Sequence, residues 1–328
     1  MTQQIAPTFA DIESAATRLQ DQAVRTPLLE VPALNRASGG RILLKAEPLQ
    51  RTGSFKFRGA FNFLSQIAPE TRANGVVAYS SGNHAQGVAA AAQIFDVPAT
   101  IVMPADAPQM KVENTQGYGA TVVTYDRQNE DREAIAADLA RQSGSTLVPP
   151  YDHPWTIAGQ GTVGLEIAAQ CTELGARPDI VLVCCGGGGL TAGVATAIAE
   201  IMPKTQVMTV EPEGFDDTRR SLEAGQRVTN DPSASSICDA LLAPTPGELT
   251  FSIMAARNLK GVAVSDDDVR QAVAYAWRHF KIVVEPGGAV ALAAILSGKT
   301  DCRGKTVVAT LSGGNVDAAT YRDCLESA

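Results

Sequence analysis

The sequence predicts an α/β fold in which parallel sheets are covered by helices on both faces. Short β-branched runs alternate with longer helical patterns along most of the 328 residues. Alternation on this scale is typical of right-handed βαβ units, which bring strands into parallel sheets. The length also predicts two domains, each large enough to bury its own core. Seven runs are predicted strands: Val76–Tyr79, Ala99–Met103, Thr121–Thr124, Ile180–Cys185, Gln206–Val210, Val262–Val264 and Thr306–Thr310.

Helical patterns fill the intervals between these strands. Three helices are predicted at Asn83–Phe95, Gln109–Tyr118 and Glu130–Gln142. The clearest periodicity begins after Ser265, where apolar residues recur on one helical face. These residues are Val269, Ala272, Val273, Ala276, Trp277 and Phe280. Ser265 and Asp268 predict a capping box at the start of this helix.

Composition argues against several classes of protein. The chain is 45% hydrophobic and 19% charged, which argues against intrinsic disorder. Its net charge of −8, without a local basic cluster, argues against nucleic-acid binding. No apolar run approaches the roughly 18 residues that span a bilayer, and the first residues have no signal-peptide character, so a cytoplasmic protein is predicted. The six cysteines are scattered, without a C-x-x-C pair, and are predicted to be reduced thiols.

The strongest local signal is the glycine run Gly186, Gly187, Gly188 and Gly189, followed by Leu190. It follows an apolar strand and opens a helix, so its N–H groups can converge on one anion at the positive end of the helix. A flexible turn is the alternative. Neither a Walker lysine nor a suitably placed acidic residue for a ribose follows, so a phosphate of another kind of ligand is predicted.

A second signal surrounds Lys56. This lysine lies one turn into an apolar helix, behind Ser54 and between Phe55 and Phe57. Most isolated lysines are solvated surface charges. Here the aromatic neighbours can desolvate the ammonium group and lower its pKa, as a lysine that forms an imine requires.

Two further loops follow predicted strands. Ser80 to Gly87 combines hydroxyls, amides and glycines at a helix N-terminus, which suits a carboxylate; a simple N-cap would explain only one of these residues. Ser312 to Asn315 follows the last predicted strand. Ligands of α/β sheets gather at the carboxyl ends of strands. Together with the lysine and the glycine run, these loops predict a pyridoxal phosphate site.

The chain resembles the threonine/serine dehydratase and serine racemase family, which are fold-type II pyridoxal-phosphate enzymes similar to the tryptophan synthase β subunit. The resemblance runs from Arg25-Thr26-Pro27-Leu28 to Ser312-Gly313-Gly314-Asn315. It implies two domains, each with a mostly parallel twisted sheet flanked by helices. Residues 1–74 and 153–328 would form a large cofactor-binding domain, and residues 75–152 a small mobile one. A C-terminal regulatory domain is not expected.

The resemblance also assigns roles around the cofactor. Lys56 would form the internal aldimine, with Phe55 beside it, and Asn83 would contact the phenolic oxygen. Gly186 to Gly189, with Leu190, would hold the phosphate. Ser312 would hydrogen-bond the pyridine nitrogen.

Substrate contacts are implied in the same way. Ser80, Ser81, Gly82, Asn83 and His84 match the loop that receives the substrate carboxylate, and Ser81 matches the second base of serine racemases. Arg132 matches an arginine that reaches a dicarboxylate ligand in racemases. Its alternative is a surface charge paired with Asp131 or Glu133.

A divalent cation, Mg²⁺ or another, is a further possibility that the resemblance raises. Glu211, the carbonyl of Phe215 and Asp217 match its ligands, although the same stretch also fits an ordinary strand-end loop. The chain departs from the family at Cys238-Asp239-Ala240, where many members carry Ala-Asp-Gly. This departure puts the identity of the substrate in doubt.

The expected activity is that of a pyridoxal-phosphate-dependent carbon–oxygen lyase. It would deaminate L-threonine or L-serine to a 2-oxo acid and ammonia. A serine racemase and a 3-hydroxyaspartate dehydratase are alternatives with the same cofactor. A cofactor-free anion-binding regulatory protein is the alternative of another class. The expected partners are a small amino acid and further copies of the chain, as a homodimer or higher oligomer.

Overall fold

The computed structural model describes residues 5–80, 82–107, 109–126 and 129–327. Within these ranges ten strands form two separate sheets. The strands are β1 (Leu28–Glu30), β2 (Arg41–Ala46), β3 (Val76–Tyr79), β4 (Ala99–Pro104), β5 (Thr121–Tyr125), β6 (Thr146–Leu147), β7 (Ile180–Cys184), β8 (Gln206–Pro212), β9 (Lys260–Val264) and β10 (Thr306–Leu311).

The described ranges also contain fourteen α-helices that cover the faces of these sheets. They are α1 (Phe9–Leu19), α2 (Pro32–Ser38), α3 (Lys56–Gln66), α4 (Pro69–Arg72), α5 (Asn83–Phe95), α6 (Gln109–Gly117), α7 (Arg132–Ser143), α8 (Pro154–Glu173), α9 (Gly189–Ile201), α10 (Asp217–Ala224), α11 (Glu248–Ala256), α12 (Asp266–Tyr275), α13 (Pro286–Leu296) and α14 (Ala318–Glu326).

The larger sheet has six strands in the order β1-β2-β10-β7-β8-β9. Every neighbouring pair is parallel except β1 and β2, which are antiparallel. Its central strands are buried on both faces because alternate side chains enter different cores. Ile42 and Leu44 pack in one core with Leu292 of α13, whereas Leu43 packs in the other with Val194 of α9.

The smaller sheet has four parallel strands in the order β5-β4-β3-β6. One face packs against α3 and α5, in a core that contains Val76, Ile101 and Phe57. The other face packs against α7 through Ala136, next to Val77. Helix α3 also packs against α8 of the larger sheet's layer. It therefore lies between the two sheets.

A cluster of buried charges fixes α3 to the larger sheet. The guanidinium of Arg58 contacts the Glu47 carboxylate at 2.8 and 2.9 Å and the Glu166 carboxylate of α8 at 2.6 and 3.0 Å. The Lys45 ammonium donates to Glu166 at 2.6 Å and to Gln170 at 2.8 Å. The two cations and the two carboxylates balance each other, and buried charges persist in proteins only when paired in this way.

The predicted α/β fold with parallel sheets is confirmed. All seven predicted strands are present, with small changes at their ends, but β1, β2 and β6 were not predicted. The capping box of Ser265 and Asp268 is confirmed. The prediction that Trp277 belongs to the buried face of this helix is wrong. Residues 276–280 form a wider π-turn after α12, and Trp277 is 47% exposed.

All four strands of the smaller sheet lie within residues 76–147, inside the predicted small domain. The domain boundaries and the mobility of that domain stay predictions. In the described ranges no helix combines the length and the apolar character needed to cross a membrane. The six cysteines are buried and free.

Candidate active site

A cleft between the two sheets collects most of the residues singled out in the sequence. The loops that follow β3, β7 and β10 meet there at the carboxyl ends of their strands, together with the start of α3. The predicted residues that line it are Phe55, Lys56, Ser80, Gly82, Asn83, His84, Arg132, Gly186, Gly187, Gly188, Gly189, Leu190 and Ser312. Ser81 lies outside the described residues. The predicted metal ligands Glu211, Phe215 and Asp217 do not line this cleft.

Lys56 is the first residue of α3, so the prediction that it lies one turn into the helix is wrong. Its side chain enters the cleft. Its Nζ donates a hydrogen bond to the carbonyl of Pro150 at 2.8 Å and lies 5.2 Å from the centroid of the Phe55 ring. Burial lowers the pKa of the Lys56 ammonium to about 8, although the Glu285 carboxylate opposes this shift. The amine is therefore more readily neutral than an ordinary surface lysine, as a nucleophile or base requires.

The glycine run forms a tight turn into α9. Gly188, the residue before the helix, has φ +92°, and a Cβ there would lie 2.9 Å from Thr250 and Met254. A Cβ on Gly187 would lie 2.5 Å from ring atoms of Tyr151. Side chains are therefore excluded at both positions by backbone conformation or by close packing.

The N–H groups of this turn are available to a ligand. Across the described part of the chain, no protein group accepts a hydrogen bond from the backbone N–H of Gly186, Gly187 or Gly188. They precede the thirteen-residue helix α9, whose dipole favours an anion at this end. A phosphate group matches this set of donors.

Ser312 and the start of α3 are connected through the backbone. The Ser312 carbonyl accepts from the N–H of Phe55 at 3.1 Å, and the Ser312 N–H donates to the carbonyl of Gly288 at 3.2 Å. These bonds hold the loop after β10 beside Lys56. The backbone of Ser312 is thereby held at the cleft wall, where the residue is buried.

The loop after β3 leads into α5. Gly82 precedes this helix, and no side chain caps it. His84 is buried, and one ring nitrogen, Nε2, lies 2.9 Å from the carbonyl of Val148. Burial lowers the pKa of His84 to about 3, so the ring is neutral. Because a carbonyl only accepts, Nε2 carries the proton and Nδ1 has none.

Arg132 is the first residue of α7 and reaches the cleft from the smaller sheet. Its guanidinium carbon lies 5.6 Å from the centroid of the Tyr79 ring. The neighbouring Asp131 carboxylate accepts from the N–H groups of Glu133 and Ala134 at 2.8 and 3.3 Å, so it caps the helix. The structure therefore places Arg132 at the cleft rather than only on the outer surface.

Sequence reasoning missed several cleft residues. Glu285, at the start of α13, is buried and accepts from Asn83 Nδ2 at 2.5 Å. Burial, reinforced by Asp239, raises the pKa of Glu285 to about 7. Lys111 of α6 forms an ion pair with Asp239, which joins the two sides of the cleft. Tyr151 covers the glycine turn. The only local sequence signal for Glu285 is the helix start Glu285-Pro286.

Comparison with known proteins agrees with this geometry. A family model described as pyridoxal-phosphate dependent enzyme matches residues 19–313. The chain belongs to this family. The predicted fold class, a fold-type II pyridoxal-phosphate enzyme with two mostly parallel sheets, is therefore confirmed, and the family indicates pyridoxal phosphate as the cofactor.

Three similar proteins have related names. An L-threo-3-hydroxyaspartate ammonia-lyase from Pseudomonas sp is 44% identical over 318 residues, which cover 97% of this chain and 98% of that relative. The crystal structure of a threonine deaminase from T.th. matches this chain with a TM-score of 0.90 and 42% sequence identity. The match covers 95% of this chain and 99% of the threonine deaminase chain. The structure of maize serine racemase has a TM-score of 0.91 and 34% identity, with 98% of each chain covered.

The cleft of this pyridoxal-phosphate enzyme fits its cofactor. The available N–H groups of the glycine turn match a phosphate, and the buried amine of Lys56 matches an aldehyde that forms an imine. Ser312 and Asn83 supply short polar side chains on the same walls. The individual roles of these residues stay predictions.

The predicted metal ligands lie between the end of β8 and the first residue of α10. Both oxygens of Glu211 accept from backbone N–H groups, of Thr218 and Arg219, at 2.8 Å. Asp217 Oδ1 accepts from Asn230 Nδ2 at 2.6 Å, whereas Oδ2 is buried without a hydrogen-bond partner in the structure. Burial raises the pKa of Glu211 to about 8 and that of Asp217 to about 6. The described residues contain no group of three His, Cys, Asp or Glu side chains suited to a metal ion.

The segment Cys238-Asp239-Ala240, which differs from the Ala-Asp-Gly of many family members, adopts an unstrained backbone. Residues Asp239–Leu241 form a short 3-10 helix, and Cys238 is buried. Ala240 is not among the residues with positive φ, so the alanine adopts its segment without backbone strain. Asp239 and Ala240 both line the cleft, next to the predicted substrate loop.

Proposed function

We propose that the chain is an ammonia-lyase that converts a β-hydroxy amino acid, L-threonine or L-serine, to a 2-oxo acid and ammonia. The observation that carries the proposal is the position of Lys56. Its buried amine lies in one cleft with an anion-binding turn and with the loop predicted to receive a carboxylate. The similarity to a named threonine deaminase over 95% of this chain supports the same activity.

Lys56 carries out two steps in this proposal. Bound pyridoxal phosphate supplies an electron sink conjugated to the substrate α-carbon. Lys56 would hold the cofactor through its amine, and its Nζ, when free and neutral, would accept the α-proton of the substrate. The lowered pKa keeps a useful fraction of that amine unprotonated near pH 8. The carbonyl of Pro150, 2.8 Å from Nζ, orients the amine in the cleft.

The substrate carboxylate would bind at the start of α5. His84 Nδ1 carries no proton, so this ring cannot donate to a carboxylate from that atom. The N–H groups of Ser80 and Gly82 already donate within the protein, to the Val102 carbonyl and the Ser80 hydroxyl. Binding is therefore assigned to the N–H groups of Asn83 and His84, at the positive end of a helix without a side-chain cap.

The test is an assay of purified protein with L-threonine, L-serine, D-serine and L-threo-3-hydroxyaspartate. Ammonia, 2-oxo acid and serine enantiomers are measured together. Replacement of Lys56 by alanine should abolish turnover, while the cofactor still binds through its phosphate. Near-normal deamination by Lys56→Ala would contradict the proposal. If the protein binds pyridoxal phosphate, the purified protein should be yellow, whereas a cofactor-free regulatory protein would be colourless.

L-threo-3-hydroxyaspartate is a second candidate substrate, favoured by the position of Arg132. A guanidinium at the cleft can bind a second carboxylate through two parallel hydrogen bonds. The Pseudomonas relative named for this substrate supports the same assignment. Arg132→Ala should lower activity on 3-hydroxyaspartate and inhibition by malonate, and leave L-threonine turnover nearly unchanged. Equal malonate inhibition of parent and variant would leave Arg132 only a surface role.

Serine racemization is the remaining alternative with this cofactor. It requires a base on each face of the α-carbon, and Ser81, the predicted second base, lies outside the described residues. The similarity to maize serine racemase supports this alternative. The enantiomer assay separates it from elimination.

We also propose a divalent cation at Glu211, the Phe215 carbonyl and Asp217. The buried, unpartnered Oδ2 of Asp217 supports it, because a cation would satisfy that oxygen. Mg²⁺ should raise the melting temperature of the parent but not of Asp217→Asn. Equal effects on both proteins would exclude this site. The predicted homodimer or higher oligomer is tested separately by sedimentation.

A further inference from the structure

Asn83 is held by hydrogen bonds on both ends of its side-chain amide. Its Nδ2 donates to Glu285 Oε1 at 2.5 Å, and its Oδ1 accepts from Asn315 Nδ2 at 2.6 Å. Glu285 directly precedes α13, whereas Asn315 lies in the loop after β10. The amide of Asn83 is therefore fixed by contacts that are remote in the sequence.

The orientation of this chain of amides follows from one backbone carbonyl. Asn315 Nδ2 also donates to the carbonyl of Thr52 at 2.7 Å, and a carbonyl can only accept. Both hydrogens of Asn315 Nδ2 are thus used, and the atom of Asn83 that it contacts is an acceptor, Oδ1. The Nδ2 of Asn83 consequently faces Glu285, with one hydrogen donated there and one left for a ligand.

The fit around this pair is close. A Cβ on Gly313 would lie 2.1 Å from Glu285 Oε1 and 3.1 Å from Asn83 Nδ2, so both polar groups lie over a bare Cα. Glu285 is 2% exposed and Asn83 is 8% exposed. Water therefore does not compete for the bond between them. Lys56, Lys111 and Asp239 are the charged side chains that influence Glu285.

We propose that Glu285 is a positioning residue that directs the remaining N–H of Asn83 at the phenolic oxygen of bound pyridoxal phosphate. The inference rests on the proposed function, because the contact between Asn83 and that oxygen is implied by resemblance. Neither the sequence motifs nor the comparisons assign a role to Glu285. Its carboxylate would act only through Asn83, by using one of the two amide hydrogens.

The test compares the affinity of the full chain for pyridoxal phosphate and for 3-deoxypyridoxal phosphate, which lacks the phenolic oxygen. Equilibrium dialysis at pH 8.5 keeps Glu285 ionised. The parent should prefer pyridoxal phosphate by about tenfold or more, as expected for a hydrogen bond to a charged oxygen. Glu285→Gln retains an acceptor for Asn83 and should keep this preference. Glu285→Leu removes the acceptor and should lose most of it.

Two isosteric changes separate positioning from a structural effect. The double variant N83D/E285Q keeps a hydrogen bond between the two positions but reverses its direction, so no N–H remains for the ligand. It should fold normally and lose the preference. Asp239→Asn, which alters another acid of the cleft that is paired with Lys111 rather than Asn83, should keep it.

The inference is overturned if Glu285→Leu or N83D/E285Q retains the parental preference. It is also overturned if the losses from Asn83→Ala and Glu285→Leu add in the double variant, because residues acting through one bond are not additive. The measurement involves binding alone. Failure of the lyase assay with an intact binding preference would contradict only the proposed function.

Discussion

Replacement of Gly188 by alanine tests whether the glycine turn holds the cofactor phosphate. Gly188 has φ +92°, and this region of backbone conformation costs an ordinary L-residue about 1–2 kcal/mol. The added Cβ would also lie 2.9 Å from Thr250 and Met254, and relief of such overlap costs about 1–3 kcal/mol more. The free energy of unfolding should therefore fall by about 2–5 kcal/mol.

Gly119 provides a matched control for the backbone cost. It has φ +83°, and among the described residues no atom lies within 4 Å of an added Cβ. Gly119→Ala should therefore lower the free energy of unfolding by only about 1–2 kcal/mol. Urea unfolding of both apoproteins measures the difference, which isolates the crowding around Gly188.

Gly188→Ala should also weaken the binding of pyridoxal phosphate. Displacement of the turn moves the N–H groups of Gly186 to Gly188 away from the phosphate, so affinity for pyridoxal phosphate should fall about tenfold or more. Affinity for pyridoxal, which lacks the phosphate, should stay the same. If Gly188→Ala matches Gly119→Ala with both ligands, the glycine turn is not the phosphate site.

Three further predictions concern charge and proton transfer. Lys56→Met should stabilise the apoprotein at pH 7 by up to about 3 kcal/mol, because burial penalises the charged ammonium. This gain in unfolding free energy should shrink as the pH rises from about 8 to 10.5, where the lysine loses its proton. A gain that does not change with pH in urea unfolding would contradict the prediction. Arg58→Met should cost about 3–5 kcal/mol of unfolding free energy because the buried Glu47 carboxylate loses its cation and Glu166 keeps only Lys45, whereas Arg25→Met, in a pair that is 52% and 59% exposed, should cost at most about 1 kcal/mol. Ser81→Ala should abolish D-serine formation and leave reduced L-threonine deamination, as measured by chiral analysis and 2-oxobutyrate release; undiminished D-serine would require another second base.

Local patterns predicted those parts of the fold that depend on neighbouring residues. The cap at Ser265, the helix after the glycine run and the strands β3, β4 and β7 all follow from short-range sequence signals. Strand β2 was missed because it contains Lys45, a charge that usually marks a surface. The partner that makes its burial possible, Glu166, is 121 residues away.

In the candidate site, too, residues with local sequence signals were predicted and residues defined by distant contacts were missed. Lys56 and Gly186 to Gly189 could be found because glycines and an aromatic-flanked lysine are local signals. Glu285 could not, since its contact with Asn83 joins residues 202 positions apart. The pairing of Lys111 with Asp239 spans 128 positions and depends on how the two sheets face each other. Trp277 was misplaced because helical periodicity does not register the change to a π-turn after Tyr275.

The strand order of the larger sheet has a consequence for folding during synthesis. Strand β10 lies between β2 and β7, so the ribosome makes both of its neighbours long before it makes the strand that joins them. Until residues 306–311 emerge, β2 and β7 have open edges in what becomes the middle of a sheet, and such edges invite pairing with other chains. The four strands of the smaller sheet, by contrast, are complete once residue 147 has emerged. A nascent chain can therefore complete its smaller sheet while the larger one still has two open strand edges.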